Sequence, residues 1–361
     1  MTTPITFSNR LSEFHAALNQ RVNAYFKTHN LNRGANAAMW WKTLCMLALF
    51  LVPYGIMVSG WPGSFASLLF LFAIMGLGTA GIGLSIMHDA NHGAYSRLPW
   101  VNQALGMTLN LVGGNAFNWK IQHNVLHHTY TNVFDMDEDI SPRGALRMAP
   151  ESPWKSFHRY QHFYAWFLYT LMTLVWVLGK DFVRLVKYQR EGLVQKQKAD
   201  SRVEWVVLAA TKLAYFTLVI IIPVIVLPFT VWQVLAGFLI MHFIAGFILA
   251  VIFQPAHVVD GTSYFQPDEN GTLENSWAVH QLHTTTNFAM NNWLLNWFAG
   301  GLNFQIEHHL FPNVCHVHYP QLAPIVRATA EEFGVPYKVK PTFWAALVAH
   351  RQMLLHLGAR P

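Results

Sequence analysis

The sequence predicts an all-α integral membrane fold, with four transmembrane helices in two hairpins and a cytosolic helical cap. Three observations lead there. Only 12% of the 361 residues are charged, against roughly 25% in an average soluble domain, while 53% are hydrophobic, with 26 Phe and 14 Trp. The apolar residues gather into runs of bilayer length, joined by very short uncharged loops. Seven histidines and one glutamine fall into three short clusters beside those runs, far more than packing requires. The net charge of +6 fits the basic cytoplasmic loops of a membrane protein and is no argument for nucleic acid. Cys45 and Cys315 are the two cysteines, which excludes a self-supplied four-cysteine iron–sulfur cluster and disfavours thiolate-rich zinc sites. A disulfide between them is not expected, because Cys45 lies in an apolar run. The first 40 residues hold no early apolar segment of signal-peptide type.

Residues 5–30 place Phe7, Leu11, Phe14, Leu18, Val22 and Tyr25 at helical spacing. This pattern predicts an amphipathic helix, lying on the membrane or packed as an ordinary helix on the cytosolic part. The first apolar run, 43–58, has Trp40 and Trp41 at one end and Trp61 at the other, as in an aromatic belt. A second uncharged run, 64–87, is long enough to cross a bilayer core of about 30 Å. The short loop between them makes a hairpin, and His88 comes one residue past the end of its second helix. Residues 101–118, apolar but rich in Gly and Asn, read as a helix at the interface. Asp135, Asp137, Glu138 and Asp139 lack ligand-like spacing and read as a solvated loop. Three further apolar runs cover 163–178, 206–227 and 231–253, the last two forming a second hairpin in which Lys212 is placed to snorkel. The shortest, 163–178, falls below the roughly 20 residues of a span and is rich in Tyr and Trp, so it is expected not to cross. Between Lys180 and Arg202, seven basic residues against three acidic ones mark a cytoplasmic loop. Residues 287–304 are broken by Asn and by Gly300-Gly301 and are not counted as a span. Residues 322–333 and 343–357 read as two soluble amphipathic helices.

The clusters carry the chemistry. His88 and His92 stand at i, i+4; His123, His127 and His128 form a second group; Gln305, His308 and His309 share one helical face. Imidazole suits iron, copper, zinc and nickel. A zinc site needs three or four ligands, so seven clustered histidines and a glutamine point to two metals, and to oxygen chemistry on an apolar substrate.

With these residues in view, the chain resembles the membrane fatty acid desaturases and their three histidine boxes. Box one is similar to His88-Asp89-Ala90-Asn91-His92. Box two runs from His123 to His128 in the longer H-x3-H-H spacing. Box three, Gln305-Ile306-Glu307-His308-His309, resembles the Q-x2-H-H form of acyl-lipid and front-end members, strengthened by Gly300-Gly301-Leu302-Asn303-Phe304 before it and Leu310-Phe311-Pro312 after it. The resemblance covers roughly residues 40–330. It implies a di-iron centre, O2 as co-substrate, two electrons from a donor, and a double bond inserted into an acyl chain carried by a lipid or by CoA. Many front-end members carry a fused cytochrome b5 with a His-Pro-Gly-Gly motif. None occurs here, so the expected donor is a separate ferredoxin or cytochrome b5. The expected layout is a cytosolic amphipathic N-terminal segment at 1–40, a membrane desaturase domain at 41–330 and a cytosolic C-terminal helical segment at 331–361, with both termini and all boxes cytoplasmic.

The expected metal ligands are His88, His92, His123, His127, His128, His257, His308 and His309, with no catalytic residue beyond the metal centre. His257 lies outside the boxes, but the helix of the 231–253 run starts at the outer loop and delivers it at the inner end. His242, 15 residues earlier and so about 22 Å away, is expected to be a packed core histidine. Gln305, His280, Asp89, Asn91, Asn124 and Glu307 are candidate further ligands or groups that orient imidazoles. A single H-x-H, His316 and His318, reads as structural. Two other readings stay open. A hydroxylase has the same histidine shell, and box three favours desaturation only by resemblance. A histidine-rich membrane metal transporter would need polar residues through the middle of several spans, whereas the run 64–87 is wholly uncharged.

Overall fold

A computed structural model describes residues 5–140 and 144–360. The chain is mostly helical, and among the described residues the strands are two-residue pieces in two parallel pairs, Thr6–Phe7 with Thr272–Leu273 and Asn287–Phe288 with Val339–Lys340. Two compact units divide it, one of residues Ala37–Ile121 and Trp166–Val251, the other of Met1–Asn36, Gln122–Ala165 and Ile252–Pro361.

The first unit is built on membrane helices. Among the described residues, four single helices are long and apolar enough to cross a bilayer, Ala37–Val58, Phe65–Asn91, Ser201–Val226 and Val231–His257, and one bent pair of helices would make a fifth span if it crosses as one. The second starts at Ser64, whose hydroxyl accepts from Ser67 N and caps the first turn. It passes through a π-helical turn at Ile82–Ile86 and continues to Asn91. His88 therefore lies inside the helix, not one residue past its end; nothing in Met87–Asn91 breaks the backbone ladder, and only the apolar run stops there. Close approach explains a glycine. A Cβ on Gly78 would lie 2.6 Å from Phe50 N on the first span, so these helices meet backbone to backbone. The 163–178 run is broken, with Ser156–Thr170 and Met172–Arg190 meeting at 59°.

Lys212 does not snorkel. It is buried, with Nζ 2.7 Å from Asp181 Oδ2 and 2.5 Å from the Gly113 carbonyl. Asp181 Oδ1 also accepts from Trp176 Nε1 at 2.8 Å, and its backbone carbonyl accepts from Asn118 Nδ2 at 2.8 Å. An ammonium in apolar surroundings is costly to bury without a partner, and Asp181 is that partner. His242 lies 2.7 Å from the Tyr215 hydroxyl and 3.1 Å from Thr173 Oγ1.

The second unit has its own apolar core. Phe14, Leu18, Val22 and Phe26 on the helix Ser12–Thr28 pack with Leu322 and Val326 of Tyr319–Glu332 and with Ala278 and Leu282 of Trp277–Thr284. The N-terminal helix is thus an ordinary packed helix, with Phe14, Leu18, Val22 and Phe26 buried and Tyr25 partly so; Phe7 and Leu11 of the expected stripe precede it, Phe7 in a strand and Leu11 at a left-handed φ of 53°. Phe343–Gly358 forms the last helix, started by Thr342, whose Oγ1 accepts from Ala345 N. Cys45 and Cys315 form no disulfide among the described residues.

Candidate metal centre

Box two sits on a π-helical turn, Ile121–His127. The His128 N–H bonds to the His123 carbonyl at 2.9 Å, five residues back. A π turn holds more residues than an α turn, so positions i, i+4 and i+5 share one face. That is the physical meaning of the longer box spacing: His123, His127 and His128 all point the same way. The His123 and His127 rings stack with centroids 5.2 Å apart.

Box three is the short helix Gln305–Leu310, buried throughout. Asn287 Oδ1 accepts from Ile306 N at 2.9 Å and so holds the helix start. Glu307 faces the other way, accepting from Tyr337 Oη at 2.7 Å and Asn287 Nδ2 at 2.8 Å. Burial pushes its carboxyl up to about 7, although those two hydrogen bonds pull it down. It orients the helix rather than a ring.

Boxes two and three converge with His257. The ligating atoms of His127, His257 and His309 lie within 4.8 Å of one another, as do those of His128, His308 and His309. His128 Nε2 is 3.2 Å from His123 Nε2 and 2.9 Å from His308 Nε2. Two nitrogens bound at right angles at about 2.1 Å from one ion would stand about 3.0 Å apart. The donor set is imidazole, with the Asp139 carboxylate beside His123 and His127. His127 Nε2 and His257 Nε2 are buried and have no hydrogen-bond partner among the described residues. Gln305 lies beside His257, and its carboxamide has no hydrogen bond of ordinary geometry among the described residues. The cluster is compatible with a metal centre, and its nitrogens face inward.

Their outer nitrogens are anchored. His127 Nδ1 lies 3.0 and 3.1 Å from the two Asp137 oxygens. His309 Nδ1 is 2.9 Å from Gln281 Oε1, and His257 Nδ1 is 3.3 Å from the Thr284 carbonyl. His308 Nδ1 faces Tyr319 Oη at 3.4 Å. Acceptors at Nδ1 select the tautomer that leaves an Nε2 lone pair for a metal. Burial works against charge on His127, but Asp137, with Asp139 behind it, raises its pKa above the usual value.

Asp137 overturns the reading of 135–139 as a solvated loop. It is fully buried and also accepts from Asn132 N and Asp139 N, both at 3.0 Å. Asn132 makes the turn possible with a left-handed φ of 57°, a conformation asparagine tolerates. Its Nδ2 also donates to the His257 carbonyl at 3.0 Å. Sequence reasoning missed Asp137, Gln281, Thr284 and Tyr319, which lie in no periodic pattern with the boxes.

The remaining candidates have these places. His88 and His92 lie in the membrane unit with ring centroids 4.9 Å apart, both edge-on to Trp119. Asp89 Oδ1 is 3.9 Å from His88 Nδ1, and Asn91 Nδ2 donates to the Gly106 carbonyl at 3.4 Å. Asn124 is half-buried. His280 spends Nε2 on the Thr131 carbonyl at 2.7 Å and joins none of the histidine groups among the described residues. His318 Nε2 bonds the Gly34 carbonyl at 3.1 Å.

Comparison with known proteins shows the family. The family model described as fatty acid desaturase matches residues 59–341. The chain is 40% identical over 346 residues to the sn-1 linoleoyl-lipid 6-desaturase of Synechocystis sp., covering 96% of this chain and 95% of that one. It is 36% identical over 360 residues to the protein of the same name from Arthrospira platensis, covering 100% and 96%. It is 37% identical over 348 residues to the acyl-lipid (8-3)-desaturase of Physcomitrium patens, covering 96% and 72%.

Proposed function

The chain belongs to the fatty acid desaturase family and is a fatty acyl desaturase, and we propose that its substrate is an acyl chain carried by a membrane lipid, desaturated with O2, two electrons and two histidine-held irons. Lipid-linked acyl chains appear in the names of all three relatives, which supports a lipid carrier over CoA. The observation that carries the metal reading is the pair of orphaned Nε2 atoms on His127 and His257, grouped with His309. Leaving such groups buried and unmet costs about 1–3 kcal/mol each, which metal coordination would offset. We assign the ligands as His88, His92, His123, His127, His128, His257, His308 and His309, with Gln305 as a further donor beside His257.

Redox-active iron held there would supply the O2 chemistry that takes hydrogen from an unactivated C–H bond, beyond the reach of any side chain. The protein's own part is positioning. Asp137, Gln281 and the Thr284 carbonyl accept from the Nδ1–H groups and fix three rings. Phe253 lies with its centroid 5.2 Å from His127 and 5.0 Å from His257, an apolar wall that keeps water off the nitrogens. The proposed topology is four spans in two hairpins, with both termini and the boxes cytoplasmic. The electron donor is a separate ferredoxin or cytochrome b5, docking on the basic segment 180–202, where Lys187 and Arg190 are the residues to reverse.

Fatty-acid analysis of cells expressing the chain, with double-bond positions located by mass spectrometry, tests this reading. The expected result is a new double bond in lipid-esterified chains that disappears with His128→Ala. An unchanged profile from iron-loaded protein would reject it.

A further inference from the structure

Outside the metal centre, the second unit exposes an unusual surface. The helix Phe343–Gly358 turns Trp344, Val348 and Leu355 outward, Trp344 with 73% of its surface exposed. These positions are spaced i, i+4, i+11 and lie on one side of the helix. Its opposite side packs on the chain around 154–161. Trp154 Nε1 donates to the Gly358 carbonyl at 2.9 Å, and Gln161 Nε2 to the Leu354 carbonyl at 2.8 Å. A Cβ on Gly358 would collide with the His158 carbonyl oxygen, so the backbones touch. That neighbouring stretch exposes its own aromatics, Phe157, Tyr160 and Phe163.

A cation sits over each of them. Lys155 Nζ lies 5.9 Å from the Phe157 ring, the Arg159 guanidinium 4.8 Å from Tyr160, and the Arg351 guanidinium, from the last helix, 5.7 Å from Phe163. The charge is one-signed. Residues 152–165 and 333–361 contain no Asp or Glu, against Lys155, Arg159, Lys338, Lys340, Arg351 and Arg360. Exposed aromatics interleaved with cations suit the boundary between headgroups and acyl chains, where rings take the apolar side and guanidinium groups the phosphates. Phe157, Tyr160 and Phe163 lie on the first helix of the bent pair Ser156–Thr170 and Met172–Arg190, which together are long and apolar enough to cross a bilayer.

We propose that Phe343–Gly358, with Phe157, Tyr160 and Phe163 beside it, is an interfacial anchor that lies in the headgroup layer and favours anionic phospholipid. The occupant is the bilayer that holds the spans. The inference does not depend on which acyl chain is desaturated or on the metal.

The test uses the full chain in proteoliposomes, in a Cys45→Ser, Cys315→Ser background. An environment-sensitive fluorophore is placed on Val348→Cys, on Leu355→Cys, or on Ala328→Cys, an exposed site on the helix Tyr319–Glu332. A melting temperature equal to the parent's verifies folding. With phosphatidylglycerol in the bilayer, lipids spin-labelled near the headgroup should quench positions 348 and 355 by at least about twofold and leave 328 bright. Arg351→Gln with Arg360→Gln should weaken the preference for anionic lipid, each cation contributing about fivefold to the attraction. Bright, water-like emission at 348 and 355 would overturn the proposal. So would equal quenching in pure phosphatidylcholine, which leaves no role for the basic residues.

Discussion

Replacing Asp137 by Asn keeps the shape of the side chain, removes its charge and disrupts a fully used set of hydrogen bonds. Each carboxylate oxygen serves two donors. Oδ1 lies 3.1 Å from His127 Nδ1 and 3.0 Å from Asp139 N, and Oδ2 lies 3.0 Å from both His127 Nδ1 and Asn132 N. An amide must place its NH2 against one of those two backbone N–H groups. A buried donor left without an acceptor costs about 1–3 kcal/mol. His127 also loses the carboxylate that makes its Nε2 a stronger ligand, and such losses typically lower metal affinity about 10–100-fold. Iron per chain, measured by elemental analysis across a chelator series, should fall accordingly in Asp137→Asn, together with product. Asp135→Asn, two residues away and exposed, should change neither. Full iron and full product in Asp137→Asn would refute a positioning role for this carboxylate at His127.

Other outcomes rest on the same geometry. His257→Ala should lower iron occupancy, whereas His242→Ala, which loses its contacts with Tyr215 and Thr173, should reduce thermal stability and leave iron content alone. Gly78→Ala should destabilise the membrane unit by about 1–3 kcal/mol, read as a lower melting temperature in detergent, because the added methyl meets the Phe50 backbone. Lys338 is half-buried, and the partial loss of water lowers its pKa to about 8. The unfolded chain therefore holds this proton more tightly, and stability should rise as pH increases from about 8 towards 10.5; Lys338→Met should flatten that rise in melting scans. Cysteines at Pro150 and Arg190 should label from the same side of the membrane, and labelling from opposite sides would show that the bent segment crosses.

Much of the fold was legible because membrane spans announce themselves by composition. The run 43–58 lies within a helix of span length and 64–87 begins at the Ser64 cap of another, while the 163–178 run falls in a bent pair of helices that would make a fifth span if it crosses as one. The box histidines were legible because i, i+4 and adjacent placement on a helix needs no tertiary information. His257 was noticed from its position at a helix end, and the structure places it with His127 and His309. Lys212 was misread because a charged side chain near a span end has two outcomes, water or a buried partner. Its partner Asp181 lies 31 residues away in sequence. Asp137 was misread for a related reason. A carboxylate in an irregular loop looks solvated until the loop folds back, and the left-handed turn at Asn132 that folds it carries no periodic signal. The last helix was read as soluble, and its aromatic and basic exposure emerged only with its packing against 154–161.

Whether the histidine cage holds two irons is decided most directly by metal analysis of the purified chain. Protein purified after expression in iron-replete cells should contain close to two irons per chain, and His128→Ala or His309→Ala should lose both iron and desaturation. Zinc in a sample would not count against this, since zinc can replace iron by affinity. A preparation that holds zinc alone and still desaturates at the full rate would contradict it.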